Sequence, residues 1–104
     1  MRLTDQQIAE FDELGYLVMP DCFSEAEVAV LRAEAQKIYA VDREEVWRET
    51  SGAPRTAFAA HTSNDAFGVL GAHPRLIRPV SQFFDEPVYM HQFKVNAKAP
   101  FDGE

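Results

Sequence analysis

The feature that most constrains the fold is a stretch of alternating residues near the C-terminus, from Tyr89 to Phe101. Side chains of an extended chain point alternately to opposite faces, so this alternation predicts a β-strand. One face carries Tyr89, His91, Phe93, Val95 and Ala97. The other face carries Met90, Gln92, Lys94, Asn96 and Lys98. Such a strand either lies half exposed to water on an antiparallel sheet or lines a polar cavity, and the alternation leaves both interpretations open.

The polar face of this strand offers candidate binding residues. Gln92 and Lys98 have the same parity and would lie on one face, roughly 20 Å apart at about 3.3 Å per residue. A lysine ammonium on a rigid strand can bind a carboxylate, and a glutamine amide can donate to and accept from a small polar molecule. Asn96 lies between them on the same face and is a candidate for ordering the cavity.

The charge of the chain is unevenly distributed, and this bears on its partners. Residues 1–50 contain 12 acidic against 5 basic residues, whereas residues 51–104 contain 5 of each, which accounts for the net charge of −7. Nucleic acids and anionic membranes bind clustered Lys and Arg, so neither is expected as a partner. A length of 104 residues without an evident linker predicts one domain, residues 1–104.

The cellular location is predicted from cysteine use and from the N-terminal residues. Cys22 is the single cysteine, so an intrachain disulfide is excluded and an oxidising compartment is not indicated. A polar, acidic segment follows Met1 and Arg2, which does not resemble a signal peptide. No apolar run is long enough to span a membrane. We therefore expect a cytoplasmic protein.

Two helices at the start of the chain are predicted from their capping residues. Thr4 to Gln7 and Ser24 to Glu27 each form a capping box, in which the first side chain and the fourth satisfy backbone amides reciprocally. The first helix should end at Gly15, and the second should run from about 25 to 40. The short apolar run 16–19 between them predicts a brief buried strand.

The middle of the chain predicts a hairpin and two helices. Residues 46–50 and 55–60 flank a four-residue loop, which is typical of a β-hairpin. A short helix capped at residues 63–65 should end near Gly71, and a second should run from Pro74 to about 84. Pro79 should kink that second helix or delay its start. The predicted fold class is α+β, with helices packed on an antiparallel sheet.

The sequence assigns no catalytic or metal-ligating residue. It contains no Gly-rich phosphate loop and no nucleophile elbow. His61, His73 and His91 do not fall into the spacings of a zinc or iron motif. His61 and Asp65 could meet at i, i+4 on a helix, but a dedicated metal site needs more converging ligands.

A resemblance to a known family adds to this interpretation. The segment VYMHQFKVNAKAP, residues 88–100, resembles the strand that precedes the iron site in the phytanoyl-CoA dioxygenase family. Within that family it is most similar to small-molecule hydroxylases of free proline or ectoine. Residues 15–20 with 23–28, and 73–76 leading into 86–89, also resemble these enzymes. The resemblance runs along nearly the whole chain, and the last strand is its most specific part.

The resemblance implies a fold, cofactors and roles for three residues. The relatives are Fe(II)- and 2-oxoglutarate-dependent oxygenases built on a double-stranded β-helix, a jelly-roll or cupin-like fold. Lys98 matches their 2-oxoglutarate-binding residue, and Gln92 matches a substrate-contacting amide. Asn96 shares the face of both, and parity makes it a candidate substrate-binding residue. The family's iron ligands, a His-x-Asp pair and a distant His, have no match among residues 1–104.

Two hypotheses follow from the residues and the resemblance together. The first is that the chain is the N-terminal portion of an oxygenase that hydroxylates a small amino or imino acid. The second is that the 104-residue chain is a non-catalytic binding or assembly module without a metal centre. An incomplete β-helix would leave strand edges unpaired, and such edges favour self-association.

Overall fold

The structure, a computed structural model, describes residues 2–98 and 100. The described residues form five helices and a small antiparallel sheet of three strands, which confirms the α+β prediction. In chain order the elements are α1 (Asp5–Leu14), α2 (Glu25–Ala40), β1 (Val46–Arg48), β2 (Pro54–Phe58), α3 (Ala60–Ser63), α4 (Asp65–Gly71), α5 (Pro74–Phe84) and β3 (Lys94–Asn96).

Helix α1 begins and ends at the residues that its capping pattern predicts. The Thr4 hydroxyl accepts from the Gln7 amide at 3.1 Å, and the Gln7 side chain accepts from the Thr4 amide at 2.9 Å. Gly15 adopts φ +82°, a left-handed conformation that glycine reaches without steric cost. Its N–H donates to the Phe11 carbonyl at 2.8 Å, which closes the last turn.

Helix α2 starts with the same arrangement. The Ser24 hydroxyl accepts from the Glu27 amide at 3.1 Å, and the Glu27 carboxylate accepts from the Ser24 amide at 2.8 Å. The helix contacts α4 and β2, so it packs against both. Tyr39, in its last turn, is buried, and burial raises the pKa of its hydroxyl.

The prediction of a buried strand at residues 16–19 is wrong. These residues form an irregular connection between α1 and α2, and Tyr16 and Val18 are 60% and 68% exposed. An extended segment becomes a strand only when a neighbour satisfies its backbone groups. The sheet consists of β1, β2 and β3, and none of these pairs with residues 16–19. The run is apolar, but it has no strand beside it.

The predicted hairpin is confirmed, with a loop of irregular geometry. Strands β1 and β2 are antiparallel, with Trp47 opposite Thr56 and a register shift between Trp47 and Arg48. The loop is closed by the Glu49 amide, which donates to the Ala53 carbonyl at 2.8 Å. Gly52 has φ +94° in this turn, where a residue with a Cβ atom would be strained. Strand β3 pairs antiparallel with β2, so the sheet order is β1-β2-β3.

The two predicted helices after the hairpin are also present. The Asn64 side chain caps α4 by accepting from the Phe67 amide at 3.1 Å. Helix α5 begins at Pro74, and its first turn is closed by the Ile77 amide, which donates to the His73 carbonyl at 2.9 Å. The start of α5 is therefore not delayed by Pro79, which is buried within the helix. The amides of residues before Pro79 close the first turn, so the helix can begin although Pro79 has no N–H to donate.

The first helix packs on the last one. The Phe11 and Phe83 rings are stacked with centroids 4.1 Å apart. The Gln82 side chain accepts from the Leu3 amide at 2.9 Å and donates to the Leu3 carbonyl at 3.0 Å. Leu3 is 3% exposed. These contacts join residues 79 positions apart and fix the N-terminal segment against α5.

An ion pair connects the first turn of α2 to the first turn of α5. The Arg75 guanidinium donates to the Glu27 carboxylate at 2.7 Å and to the Cys22 carbonyl at 3.1 Å. It also lies over the Phe23 ring, 5.2 Å from the centroid. The hydrogen bond from Arg75 and that from the Ser24 amide lower the pKa of Glu27 from 4.5 to about 2.

Acid should remove the stability that this ion pair contributes. The pKa of Glu27 is lower in the folded than in the unfolded chain, so the contribution is complete above about pH 4.5 and is lost as pH falls towards 2. Glu27→Gln retains a capping-box side chain but removes the charge. We expect it to be less stable than the original chain at pH 7, and the difference to vanish near pH 2, in urea unfolding. The control Glu25→Gln removes another first-turn charge and leaves the pair intact. If Glu27→Gln were less stable than the original chain by the same amount at every pH, the ion pair would not be the cause of the difference.

The molecule is elongated and leaves much apolar surface exposed. The Cα radius of gyration is 16.0 Å, with principal extents of 46 × 29 × 27 Å. A compact chain of this length would have a radius of gyration of about 13 Å. Among the described residues, Phe84 and Tyr89 are 65% and 87% exposed. None of the helices in this part of the chain is long and apolar enough to cross a membrane.

Candidate polar binding face on the last strand

The strand predicted over residues 89–101 is formed over a shorter range. Regular pairing covers Lys94–Asn96, while residues 89–93 are irregular and residues 99 and 101 lie outside the described residues. The limit comes from the partner strand. Ala59 follows β2 with φ +54° and turns the chain into α3, so β2 offers no further backbone groups to residues 89–92. The prediction of a strand from residue 89 is therefore wrong for that part.

The alternation of faces holds where the strand is paired. Val95 is half-buried and lies opposite Ala57, which is 1% exposed, on the side of the sheet that faces the core. Lys94 and Asn96 point the other way and are exposed, as is Lys98 two residues further on. The Ala97 amide donates to the Arg55 carbonyl at 2.9 Å, which continues the pairing towards Lys98.

The polar face of the sheet also includes side chains from the hairpin. Thr56 lies opposite both Trp47 and Asn96, and Phe58 lies opposite Lys94. The Trp47 and Phe58 rings meet edge to face with centroids 4.9 Å apart. We define the polar face as the surface formed by Trp47, Thr56, Phe58, Lys94, Asn96 and Lys98. It combines amide and ammonium donors with aromatic side chains.

The Thr56 hydroxyl and the Asn96 side chain make a hydrogen bond across the two strands. The Thr56 Oγ1 donates to the Asn96 Oδ1 at 3.0 Å. Thr56 is 9% exposed, whereas Asn96 is exposed. The residues are 40 positions apart, so no local pattern in the sequence indicates this contact. The strand register is the signal that could have found it.

Arg55, next to Thr56, belongs to the opposite side of the sheet. Strand alternation places the two side chains on opposite faces of β2. The Arg55 Nε lies 3.9 Å from the Glu49 Oε1, and Glu49 is 8% exposed. A partly buried carboxylate favours a nearby cation, so Arg55 contributes to this ion pair. Of these two neighbours, Thr56 is the one that the polar face includes.

Gln92 lies before the strand, and the ladder does not fix its orientation. It is exposed, and the next residue, Phe93, is half-buried, which follows the alternation of the strand. The Phe93 carbonyl accepts from the Ala59 amide at 2.8 Å, and this is the last bond of the ladder in that direction. Strand geometry therefore places Asn96 and Lys98 on one face, as the alternation predicts. It does not place Gln92 on that face, because Gln92 lies outside the paired strand.

The three histidines occupy separate positions. The His73 Nδ1 accepts from the Arg75 amide at 3.1 Å, so this residue caps α5. His61 packs on Phe93 with ring centroids 4.8 Å apart, and its Nδ1 is buried without a hydrogen-bond partner. His91 is exposed. Within residues 2–98 and 100, no group of three His, Cys, Asp or Glu side chains is arranged to hold a metal ion.

Two clefts among the described residues lie away from the polar face. An apolar cleft of about 290 Å³ lies between α2 and α4, and Phe23, Leu31 and Leu70 are among its lining residues. A larger one of about 520 Å³ is lined by Arg2 and residues of α5 and its C-terminal end. Neither is lined by Asn96 or Lys98. The polar face is thus an open wall in the described part of the chain, and a cavity there would need a second wall.

Comparison with known proteins gives a consistent family. Residues 11–104 match the family described as phytanoyl-CoA dioxygenase (PhyH). The ectoine dioxygenase of Bordetella bronchiseptica is 34% identical over 107 residues, which cover 98% of this chain and 35% of that protein. That of Stutzerimonas stutzeri is 32% identical over 102 residues, covering 93% and 34%.

A hydroxylase of a different substrate is similar as well. The L-proline trans-4-hydroxylase of Streptomyces griseoviridis is 33% identical over 93 residues, which cover 86% of this chain and 34% of that protein. The chain therefore spans about a third of the length of the curated relatives that it matches.

Proposed function

This chain belongs to the phytanoyl-CoA dioxygenase family, and on that premise we propose that it is the N-terminal part of an Fe(II)- and 2-oxoglutarate-dependent dioxygenase. We propose a small amino or imino acid, similar to ectoine or proline, as the substrate that is hydroxylated. The names of the relatives support this substrate class. The structural observation that carries the proposal is the polar face, where Asn96 and Lys98 are exposed side by side.

The proposed roles follow from the charge and hydrogen-bonding capacity of the side chains. Lys98 places a cation on the polar face, which suits an anionic ligand such as 2-oxoglutarate, and Lys94 lies at the other end of β3. We assign the carboxylate contact to Lys98 and a substrate contact to Gln92, as the resemblance implies. Asn96, between the two lysines, completes the set as a substrate-binding amide. The aromatic rings of Trp47 and Phe58 give this face an apolar border.

The iron site itself does not fit the residues described here. A facial triad needs two histidines and a carboxylate that converge on one metal ion. His61, His73 and His91 lie in different environments, and no convergent group of ligands exists in the described ranges. We therefore assign no iron ligand to residues 2–98 and place the metal centre of the proposed enzyme outside them. The residues of this chain are proposed to bind and orient the substrate and 2-oxoglutarate.

We also propose that the three-stranded sheet is the first part of a double-stranded β-helix. Strands β1 and β3 are the outer strands of the described sheet, and the elongated shape leaves room for further elements. Additional strands would cover the exposed apolar side chains and supply the second wall of the cavity. The single domain over residues 1–104 and the cytoplasmic location stay predictions.

The test uses iron and 2-oxoglutarate with two forms of the protein. The full-length protein should couple hydroxylation of ectoine or proline to formation of succinate, and should show the Fe(II)–2-oxoglutarate charge-transfer absorption. The 104-residue chain alone should show no such band on anaerobic titration, because its described residues hold no iron site. A full-length protein without a His-x-Asp pair soon after residue 104, or without turnover of any amino or imino acid, would refute the proposal.

A second candidate function is a non-catalytic assembly module, and one observation favours it. Strand β3 uses alternate backbone groups to pair with β2, so the groups of Lys94 and Asn96 face the open edge. An open edge can pair with another copy of the chain. Light scattering of the chain at high concentration tests this function. A chain that stays monomeric would contradict it.

A further inference from the structure

We propose that Thr56 is a positioning residue that sets the polarity of the Asn96 amide. By donating to the Asn96 Oδ1, the Thr56 hydroxyl directs the Nδ2 protons outwards, so that Asn96 acts as a hydrogen-bond donor to a carboxylate on the polar face. The inference rests on the proposed function and deepens it. It gives a role to a hairpin residue that lies 40 positions from Asn96 in the sequence.

The strand register makes this contact close. The Ala97 amide donates to the Arg55 carbonyl, and the Ala59 amide donates to the Phe93 carbonyl. Hydrogen-bonded and non-hydrogen-bonded pairs alternate along an antiparallel ladder, so Thr56 and Asn96 form a non-hydrogen-bonded pair. The Cα atoms of such pairs are only about 4.5 Å apart, and their side chains are closer than in the other type. The contact is therefore imposed by the backbone.

The inventory of donors and acceptors then decides what Asn96 presents. A threonine hydroxyl has one proton, and here it is used on the Asn96 Oδ1. The Nδ2 group keeps two N–H donors, and the exposed Asn96 side chain can offer them to a ligand. Thr56 is nearly buried, so its hydroxyl has little water to bond with instead. Without the hydroxyl, the Asn96 Oδ1 would lose its hydrogen-bond partner on Thr56, and this contact would no longer hold the amide in one orientation.

The neighbouring cation specifies the chemical class of the ligand. Lys98 follows Asn96 by two residues, about 7 Å along a strand, and has only donors. An ammonium and an outward amide NH₂ each match a carboxylate, which accepts several hydrogen bonds. The proposed reaction offers two sources of such a carboxylate, namely 2-oxoglutarate, which has two, and the amino or imino acid. The experiment distinguishes them.

The first measurement examines the positioning directly in the 104-residue chain. In NMR spectra, the three-bond couplings between the Asn96 Cβ protons and Nδ2 should be those of a single χ2 rotamer, the torsion that sets which end of the amide faces outwards. Thr56→Val removes the hydroxyl and keeps the shape, and we expect averaged couplings for Asn96. Thr56→Ser restores the hydroxyl and should restore the rotamer. The control is Thr62→Val, because Thr62 also donates to a carbonyl, that of Ala59 at 2.7 Å, away from Asn96. Unchanged Asn96 couplings in Thr56→Val would overturn the inference.

The second measurement uses the iron-loaded full-length protein and separates KM from kcat. Thr56→Val should raise the KM of one carboxylate ligand about fivefold, the effect of one typical hydrogen bond, with kcat within about twofold. A rise for 2-oxoglutarate assigns the carboxylate to the co-substrate, and a rise for the amino or imino acid assigns it to the substrate. Thr56→Ser and Thr62→Val should match the original protein.

The failures of the two proposals are distinguishable. If the original protein turns over and Thr56→Val changes neither KM, the role of Thr56 is refuted while the proposed function stands. If the original full-length protein has no turnover, the proposed function fails, and the NMR couplings still decide whether Thr56 orients Asn96.

Discussion

Replacing Lys98 by alanine in the full-length protein should raise the KM for 2-oxoglutarate by about tenfold to a hundredfold. A hydrogen bond to a charged group contributes about 1.5–3 kcal/mol, and loss of that free energy gives a change of this size. Lys98 is exposed beside Asn96 on the polar face, so its removal should leave the fold intact. The KM for the amino or imino acid should change much less, because the ammonium is assigned to the co-substrate.

Two further variants make this experiment specific. Lys98→Arg keeps the positive charge and should recover part of the 2-oxoglutarate affinity, though a guanidinium differs in shape and reach. Lys94→Ala removes a second exposed cation from the same face and controls for a general loss of positive charge. Succinate formation at varied 2-oxoglutarate concentration measures all three. An unchanged KM in Lys98→Ala, or an equal rise in Lys94→Ala, would exclude Lys98 as the carboxylate-binding residue.

Replacing Phe67 by alanine should lower the free energy of unfolding of the chain by about 3 kcal/mol. Phe67 lies on α4, is 6% exposed and meets the Phe93 ring edge to face at 6.1 Å. It is one of few large side chains buried in the described part of the chain, so its loss should leave a cavity that nothing adjacent fills. The control is Phe84→Ala, which removes a phenylalanine that is 65% exposed and should change stability by less than about 1 kcal/mol.

The same variant should also loosen the start of the last strand. Phe93 directly precedes β3, and its carbonyl accepts from the Ala59 amide at 2.8 Å. Without Phe67, the Phe93 ring loses one neighbour and keeps His61. Urea unfolding gives the global effect, and hydrogen exchange at the Ala59 amide gives the local one. If Phe67→Ala were no less stable than Phe84→Ala, the packing between α4 and Phe93 would not support the polar face.

The helices of this protein could be predicted because their signals are local. The Thr4 and Ser24 caps act on amides three residues away, and Gly15 ends α1 through its own backbone conformation. The hairpin is similar, since its strands are joined by a short loop. In each case the atoms that determine the element lie within a few residues of one another. A few neighbouring residues are therefore enough to predict the element.

The length of β3 could not be predicted in this way. Alternation extends from residue 89, but pairing depends on β2, which turns away at Ala59. The segment 16–19 illustrates the same limit, because its apolar run has no strand to pair with. Periodicity describes which side chains could share a face. It does not indicate where the partner strand lies.

The candidate site, too, could be predicted from the sequence only in part. From the sequence by itself came the pattern that puts Asn96 and Lys98 on one face, since the period of two is a property of any extended chain. Only the tertiary structure brought Thr56 to Asn96, because the register between β2 and β3 joins residues 40 positions apart. A repeat along one strand is a local property of the backbone, whereas contact between two strands depends on how the intervening helices fold.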